Sequence, residues 1–259
     1  MRVKRAFTLI ELLVVISIIA LLLAIMMPAL GMVKEKAKSV VCKSQLRQMA
    51  IALQTYAGEN NGKAPDFGAS YGADPDGFWF VGLAPYLAGD DPYEEKMEIL
   101  TCPSTKVSPD NGTYIPGTDK NGWVFQGSVK GSYGINFWVM SGSLRGFSAE
   151  RRFQNFSSLR GGLPTFADST WPDGHPDGDD QVPLDVYGGG YGGENINTRF
   201  PGSMGYGMGR FCIDRHGMAI NVAMTGGSVE TVDLEDLWVL KWNQLSKPNY
   251  DIVLPTGRE

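Results

Sequence analysis

Cysteine and histidine are scarce in this chain of 259 residues: three cysteines, Cys42, Cys102 and Cys212, and two histidines, His175 and His216. Three thiols with no CxxC pair form neither a dense disulfide framework nor a zinc-finger ligand set. With no G-x-S-x-G elbow, a hydrolytic triad drawn through Asp214 and His216 has no fixed nucleophile, so the chain is expected not to be an enzyme. Basic charge is also short. The net charge is -5, and no basic patch occurs beyond the N-terminal third, which excludes the usual electrostatic footprint of a nucleic-acid binder. No repeat at solenoid spacing is present. The length suffices for a sizeable core without disulfide support.

Charge is absent altogether from one stretch. Between Leu12 and Leu30 the only conventional polar side chain is Ser17, and a helix of that length covers about 28 Å, enough to span a bilayer. Arg2, Lys4 and Arg5 precede the run as in a signal peptide, but no A-x-A cleavage site follows it. Positive-inside reasoning places the short tail in the cytoplasm, although Lys34, Lys36, Lys38, Lys43 and Arg47 beyond the far end leave charge alone indecisive. One carboxylate, Glu11, heads the apolar run. Near the bilayer interior such a charge costs roughly 3 kcal/mol on insertion scales.

The segment RAFTLIELLVV carries a resemblance. It is similar to the cleavage and methylation signal of type IV prepilins and type II secretion pseudopilins: a short basic leader, a small residue, Phe, then Thr-Leu-Ile-Glu. The resemblance implies cutting by prepilin peptidase between Ala6 and Phe7, N-methylation of Phe7, and a role in assembly for Glu11, which would become the fifth mature residue. Ala6 stands where the family usually has Gly, which implies slower processing. Pro28 falls where many members carry a helix-kinking proline. In the family's assembly picture, Glu11 of an incoming subunit pairs with the amino group of Phe7 on a neighbour. The reading of Glu11 as an ordinary anchor's charge at the headgroup level stands beside it.

The expected organisation is a leader at 1–6, a transmembrane helix half at 7–30, an amphipathic half at 31–58 and a β-rich extracytoplasmic body at 59–259. The fold class is α+β and pilin-like: a long N-terminal helix packed on a C-terminal antiparallel β-sheet with long irregular loops. Val33, Ala37, Val40, Val41 and Ser44, then Leu46, Met49, Ala50, Leu53, Tyr56 and Ala57, recur at helical spacing. The lysines and Arg47 take the other side, as a solvated face or a contact with anionic lipid. Gly58, Asn60, Asn61, Gly62 and Pro65 stop the helix. Strands are expected at 132–140, 163–169, 218–225 and 228–234, the last two joined by a hairpin at Gly226 and Gly227. Residues 59–98, 103–131 and 170–210 read as irregular.

A looser resemblance covers the tail from Arg215. Pilin-like proteins of one kind carry a His, nine residues, then Asp-Gly; here His216 matches, and Gly226 and Gly227 stand at the dipeptide's place, so that the Asp is replaced. CPS at Cys102–Ser104 and FADS at Phe166–Ser169 recur in such proteins. A structural His216, bonded to a carboxylate or to turn backbone, is expected. Asp173, Asp177, Asp179 and Asp180 lie on a Gly- and Pro-rich loop that suits either Ca²⁺ or plain solvation. A disulfide between Cys42 and Cys102 is one reading of the thiols, and three small buried thiols is the other.

The family resemblance implies prepilin peptidase, identical or related pilin subunits, the secretion or pilus assembly machinery and membrane lipid as partners. It implies no cofactor beyond the calcium just named. Localisation follows as a single-pass inner-membrane protein with a cytoplasmic N-terminus and periplasmic body, later a pseudopilus or cell-surface filament. The alternative is a membrane-anchored envelope protein that never polymerises and whose body binds a ligand or glycan.

Overall fold

A computed structural model describes residues 8–66, 78–87, 98–106, 114–125, 129–142, 149–159, 161–183, 185–187 and 207–255. Ala6 and Phe7 lie outside the described residues. The chain forms two compact units, residues 1–38 and 39–259, and the division falls inside the first helix.

That helix, α1, runs over Leu9–Glu59 and is long and apolar enough to cross a membrane. Its first part offers Leu, Ile, Val and Met on every side, from Leu9 to Val33, all exposed. A helix that is apolar all round belongs in lipid or a large core. Ser17 spends its hydroxyl inside the helix, donating to the carbonyls of Leu13 and Val14 at 2.9 Å each, which suits an apolar surround. Pro28 lies within α1, which continues across it; the ring removes one backbone donor. At the far end Asn61 and Gly62 take left-handed conformations (φ 56° and 79°), and the Gly62 N–H reaches back to the Ala57 carbonyl at 2.8 Å. This is the glycine-bearing stop expected from the sequence.

In the second unit α1 buries Cys42, Leu46, Met49, Ala50, Leu53 and Ala57. The upstream part of the expected face is corrected: Val40 and Val41 are exposed, and Cys42, one residue on, turns inward instead. The face that packs is set by a sheet that the period of α1 does not reveal.

The main sheet has the order β6-β4-β5-β7-β8, with β4 at Tyr133–Asn136, β5 at Pro164–Asp168, β6 at Asp173–Gly174, β7 at Ala219–Met224 and β8 at Val229–Asp233. All its pairings are antiparallel except β4 with β6. The four expected strands are present, the first shortened because Phe137–Val139 forms a 3-10 turn capped by the Asn136 side chain. Between β7 and β8 the Gly227 N–H donates to the Met224 carbonyl, and Gly227 alone of the two glycines sits at positive φ (79°). A three-residue loop closed by a left-handed glycine is a standard hairpin solution.

The stretches read as irregular hold more structure than that. Residues 59–98 contain helix α2 at Trp79–Leu87, and 114–131 contain a small antiparallel sheet of β1 (Tyr114–Ile115), β2 (Trp123–Phe125) and β3 (Val129–Gly131). The helix α2 escapes a periodicity test because it is apolar throughout and carries Gly82 and Pro85. It is fixed by contacts instead: Trp79 Nε1 donates to the Pro172 carbonyl at 2.6 Å and its ring meets Phe166 edge-on.

Candidate functional site

Among the described residues, two places gather polar chemistry against an apolar background. One is the start of α1. Thr8 precedes the helix, its N–H donates to Glu11 Oε2 at 2.9 Å and its hydroxyl to the same oxygen at 2.7 Å, while the Glu11 N–H approaches Thr8 Oγ1 at 3.3 Å. This is a capping box, in which side chains three residues apart satisfy amides that the helix leaves open. The signal T-x-x-E was legible in the sequence and was missed. A single subunit therefore does not hold Glu11 bare; the carboxylate has a local partner.

The second place is inside the body. Cys42 on α1, Cys102 in the turn after Glu98–Leu100, Asp168 at the end of β5 and His216 just before β7 bring their donor atoms within 4.8 Å of one another. Cys42 Sγ lies 3.7 Å from each Asp168 oxygen, and His216 Nε2 lies 3.2 Å from Asp168 Oδ2 and 3.6 Å from Cys102 Sγ. Around them, the Asn221 N–H donates to Asp168 Oδ2 at 2.9 Å and Asn221 Nδ2 to Cys42 Sγ at 3.2 Å. The buried guanidinium of Arg215 stands 3.7 Å from Asp168 Oδ1 and is held by the carbonyls of Ser132 and Thr118, at 2.7 Å each.

Charge in this pocket follows from these contacts. Burial works against ionising Asp168, but His216, Arg215 and the Asn221 amide outweigh it and hold the carboxyl below its ordinary range. Burial likewise opposes a charged imidazole at His216, yet the bonds to Asp168 and Cys102 raise it to about 9. The Cys102 thiol, assisted first by Cys42 and then by His216, drops to about 6, while burial pushes Cys42 well up. One thiolate is thus favoured beside one imidazolium. Both Cys102 and Asp168 meet the same imidazole nitrogen, so the arrangement is not a nucleophile-base-orienter relay, which needs both ring nitrogens.

Two further expectations, the disulfide and the calcium loop, concern residues whose contacts the structure describes. Cys42 and Cys102 are neighbours, as the proposed pairing required, but both are free thiols, each turned to the Asp168–His216 pair. The four aspartates of the loop do not converge as calcium ligands. Asp173 is buried against Arg210 Nη1 at 2.8 Å, Asp177 pairs with Arg151 and accepts from Asn243 Nδ2, and Asp180 accepts from the amides of Asp177 and Met208 at 2.8 and 2.7 Å. Only Asp179 faces solvent, at 79%. Nor is the loop simply solvated: Trp138 Nε1 holds the Pro176 carbonyl and Trp238 Nε1 that of Asp180. His175, also buried, lies against the Phe137 ring. His216 has the carboxylate expected of it, supplied by β5 and not by the hairpin of Gly226 and Gly227.

Burial lifts the Asp180 carboxyl from 3.8 to about 6 against the Met208 amide, which pulls it down. A carboxyl whose folded value lies above its unfolded one contributes stability at low pH and loses it as pH rises through the folded value. Asp180→Asn is therefore expected to gain melting temperature relative to the wild type between pH 4 and pH 6. Parallel thermal melts across that interval check it; a difference independent of pH contradicts it.

Comparison with known families finds a match to the prokaryotic N-terminal methylation motif over residues 1–27. No curated protein and no solved structure matches the chain. The matched segment runs from the basic leader through Glu11 into the exposed apolar part of α1, so the chain carries the prepilin-type cleavage and methylation signal at the head of a candidate membrane-spanning helix.

Proposed function

We propose that the protein is a structural subunit of a type IV pilus-like or type II secretion pseudopilus filament. Prepilin peptidase cuts between Ala6 and Phe7 and methylates Phe7, which takes the net charge from -5 to -8 by removing Arg2, Lys4 and Arg5. The single observation that carries this reading is the continuity of the methylation motif with α1, whose first half is apolar on all sides and whose second half is built into the body. Such a helix has one end for lipid, or for other such helices, and one end that holds a folded cargo-sized domain. The N-terminus lies in the cytoplasm and the body in the periplasm until the subunit leaves the inner membrane for the filament.

Glu11 has two partners in succession. In a lone subunit it closes the capping box with Thr8. In the filament the methylated amine of Phe7 on an adjoining protomer replaces the neutral hydroxyl as the stronger partner, since a charge-assisted bond exceeds a neutral one in a low-dielectric setting. Axial stagger between helices is set by the one position where that pair closes.

Processing gives the test. Ala6→Gly restores the residue usual in the family and is expected to raise the rate of leader removal several-fold in a pulse-chase with the peptidase present. A rate unchanged by Ala6→Gly, together with no size change when the peptidase is deleted, refutes the proposal.

A further inference from the structure

We propose that Cys42, Cys102, Asp168 and His216 form a closed, structural Zn²⁺ site in the body, a feature that stands independently of filament assembly. The donor set is two sulfurs, one imidazole and one carboxylate, the mixture that tetrahedral zinc takes. Geometry supports it more than composition does. With Zn–S near 2.3 Å and Zn–N and Zn–O near 2.0–2.1 Å, a tetrahedron has ligand-to-ligand edges of about 3.3 Å for N···O and about 3.5–3.6 Å for S···O and S···N. The corresponding separations here are 3.2 Å for His216 to Asp168, 3.7 Å for Cys42 to Asp168 and 3.6 Å for Cys102 to His216. Three of the six edges thus match a tetrahedron, and all four donors, from four distant stretches, lie within 4.8 Å of one another.

Their surroundings match as well. Ligand side chains need outer partners that fix their orientation. Asn221 supplies two of them, its N–H to Asp168 and its amide group to Cys42, and the His216 backbone N–H is tied to the Ala219 carbonyl at 3.0 Å. Two thiolates and a carboxylate around a divalent ion leave one negative charge, and buried Arg215, beside Asp168, cancels it. Cys42, Cys102 and Asp168 are fully buried and the His216 side chain is 5% exposed, so no position is open to water or substrate and the site is structural. Binding releases the Cys42 thiol proton and the His216 imidazolium proton to solvent and leaves the redox state of every group unchanged. The role is to clasp the second half of α1, the Cys102 turn and strands β5 and β7 at one point, in a body with no disulfide among the described residues.

The full-length protein, purified in detergent under a non-thiol reductant, is the material for the test. Elemental analysis is expected to find about one zinc per chain. Replacement by Co²⁺ should give thiolate-to-metal charge-transfer absorption and the intense visible bands of a tetrahedral ion. Cys102→Ser should reduce the charge-transfer intensity by about half, and Cys42→Ser with Cys102→Ser should abolish it, in protein whose circular dichroism shows it folded. The wild-type cobalt spectrum needs no variant and decides the matter alone: weak six-coordinate bands after cobalt loading overturn the proposal. So does a Cys42–Cys102 disulfide in peptide maps of protein taken from cells without reductant.

Discussion

Glu11→Gln is expected to leave the protein processed, inserted and folded but to lower its incorporation into filaments by tenfold or more. Gln at the third helical position closes a capping box as Glu does, so the Thr8 contacts and the helix start survive the change. What is lost is the charge alone. Close charge pairs at desolvated interfaces are worth about 1.5–7 kcal/mol, and each 1.4 kcal/mol is about a factor of ten in an equilibrium. Quantifying the variant in sheared or overproduced filaments against the membrane pool measures the effect. Incorporation equal to the wild type assigns Glu11 to capping, and favours a membrane-anchored protein that does not polymerise.

Asp173→Ala is expected to destabilise the body by about 3–5 kcal/mol, the usual result of removing one partner from a buried ion pair. Asp173 is fully buried and the Arg210 side chain is 4% exposed, with Nη1 at 2.8 Å from the carboxylate and from the Asp173 carbonyl. The carbonyl remains in the variant; the countercharge does not. Burial already pushes the Asp173 carboxyl up, with Arg210 pulling the other way, so the pair holds a costly arrangement in balance. At about 2–4 °C per kcal/mol for a body of this size, the melting temperature falls by roughly 6–20 °C. Asp179→Ala, in the same loop but at an exposed side chain, should move it by less than about 2 °C. Equal effects at the two positions contradict the assignment. An apolar pair in place of both Asp173 and Arg210 should recover much of the loss, because neither charge is then left buried.

How much of this was legible in the sequence depends on the distance over which each feature is decided. The methylation signal and the apolar run are local, and both were readable residue by residue. So was the hairpin from Ala219 to Asp233, where β-branched residues and a glycine pair specify strands and a turn without reference to anything else. The helix stop at Asn61 and Gly62 is of the same kind. The inner face of α1 was half legible: Leu46, Met49, Leu53 and Ala57 were found, whereas Cys42 was traded for Val40 and Val41, because the helix enters the body only at that point. Helix α2 was hidden by Gly82 and Pro85, which read as punctuation but are tolerated in a short helix buried among Trp79, Phe80, Leu83 and Ala84.

The buried cluster shows the limit most plainly. His216, the CPS at Cys102 and the FADS that contains Asp168 are each legible separately, yet nothing in their spacing links them. Cys42 and Asp168 are 126 residues apart in the chain and Cys102 and His216 are 114 apart. Their meeting is a product of strand order, with β5 central and β7 beside it, and strand order is not written in any one segment. The contacts of the acidic loop are likewise decided at a distance. Four aspartates among glycines and prolines suggest solvent or a cation, but Arg210, Arg151 and Asn243 come from elsewhere to satisfy them.

The central claim is that residues 1–27 act as a prepilin signal on this chain, and mass spectrometry of the N-terminal peptide of protein isolated from membranes tests it most directly. The account predicts a chain that begins at Phe7 and carries a methyl group on that α-nitrogen. A chain that retains Met1, or one cut beyond the apolar run, contradicts it.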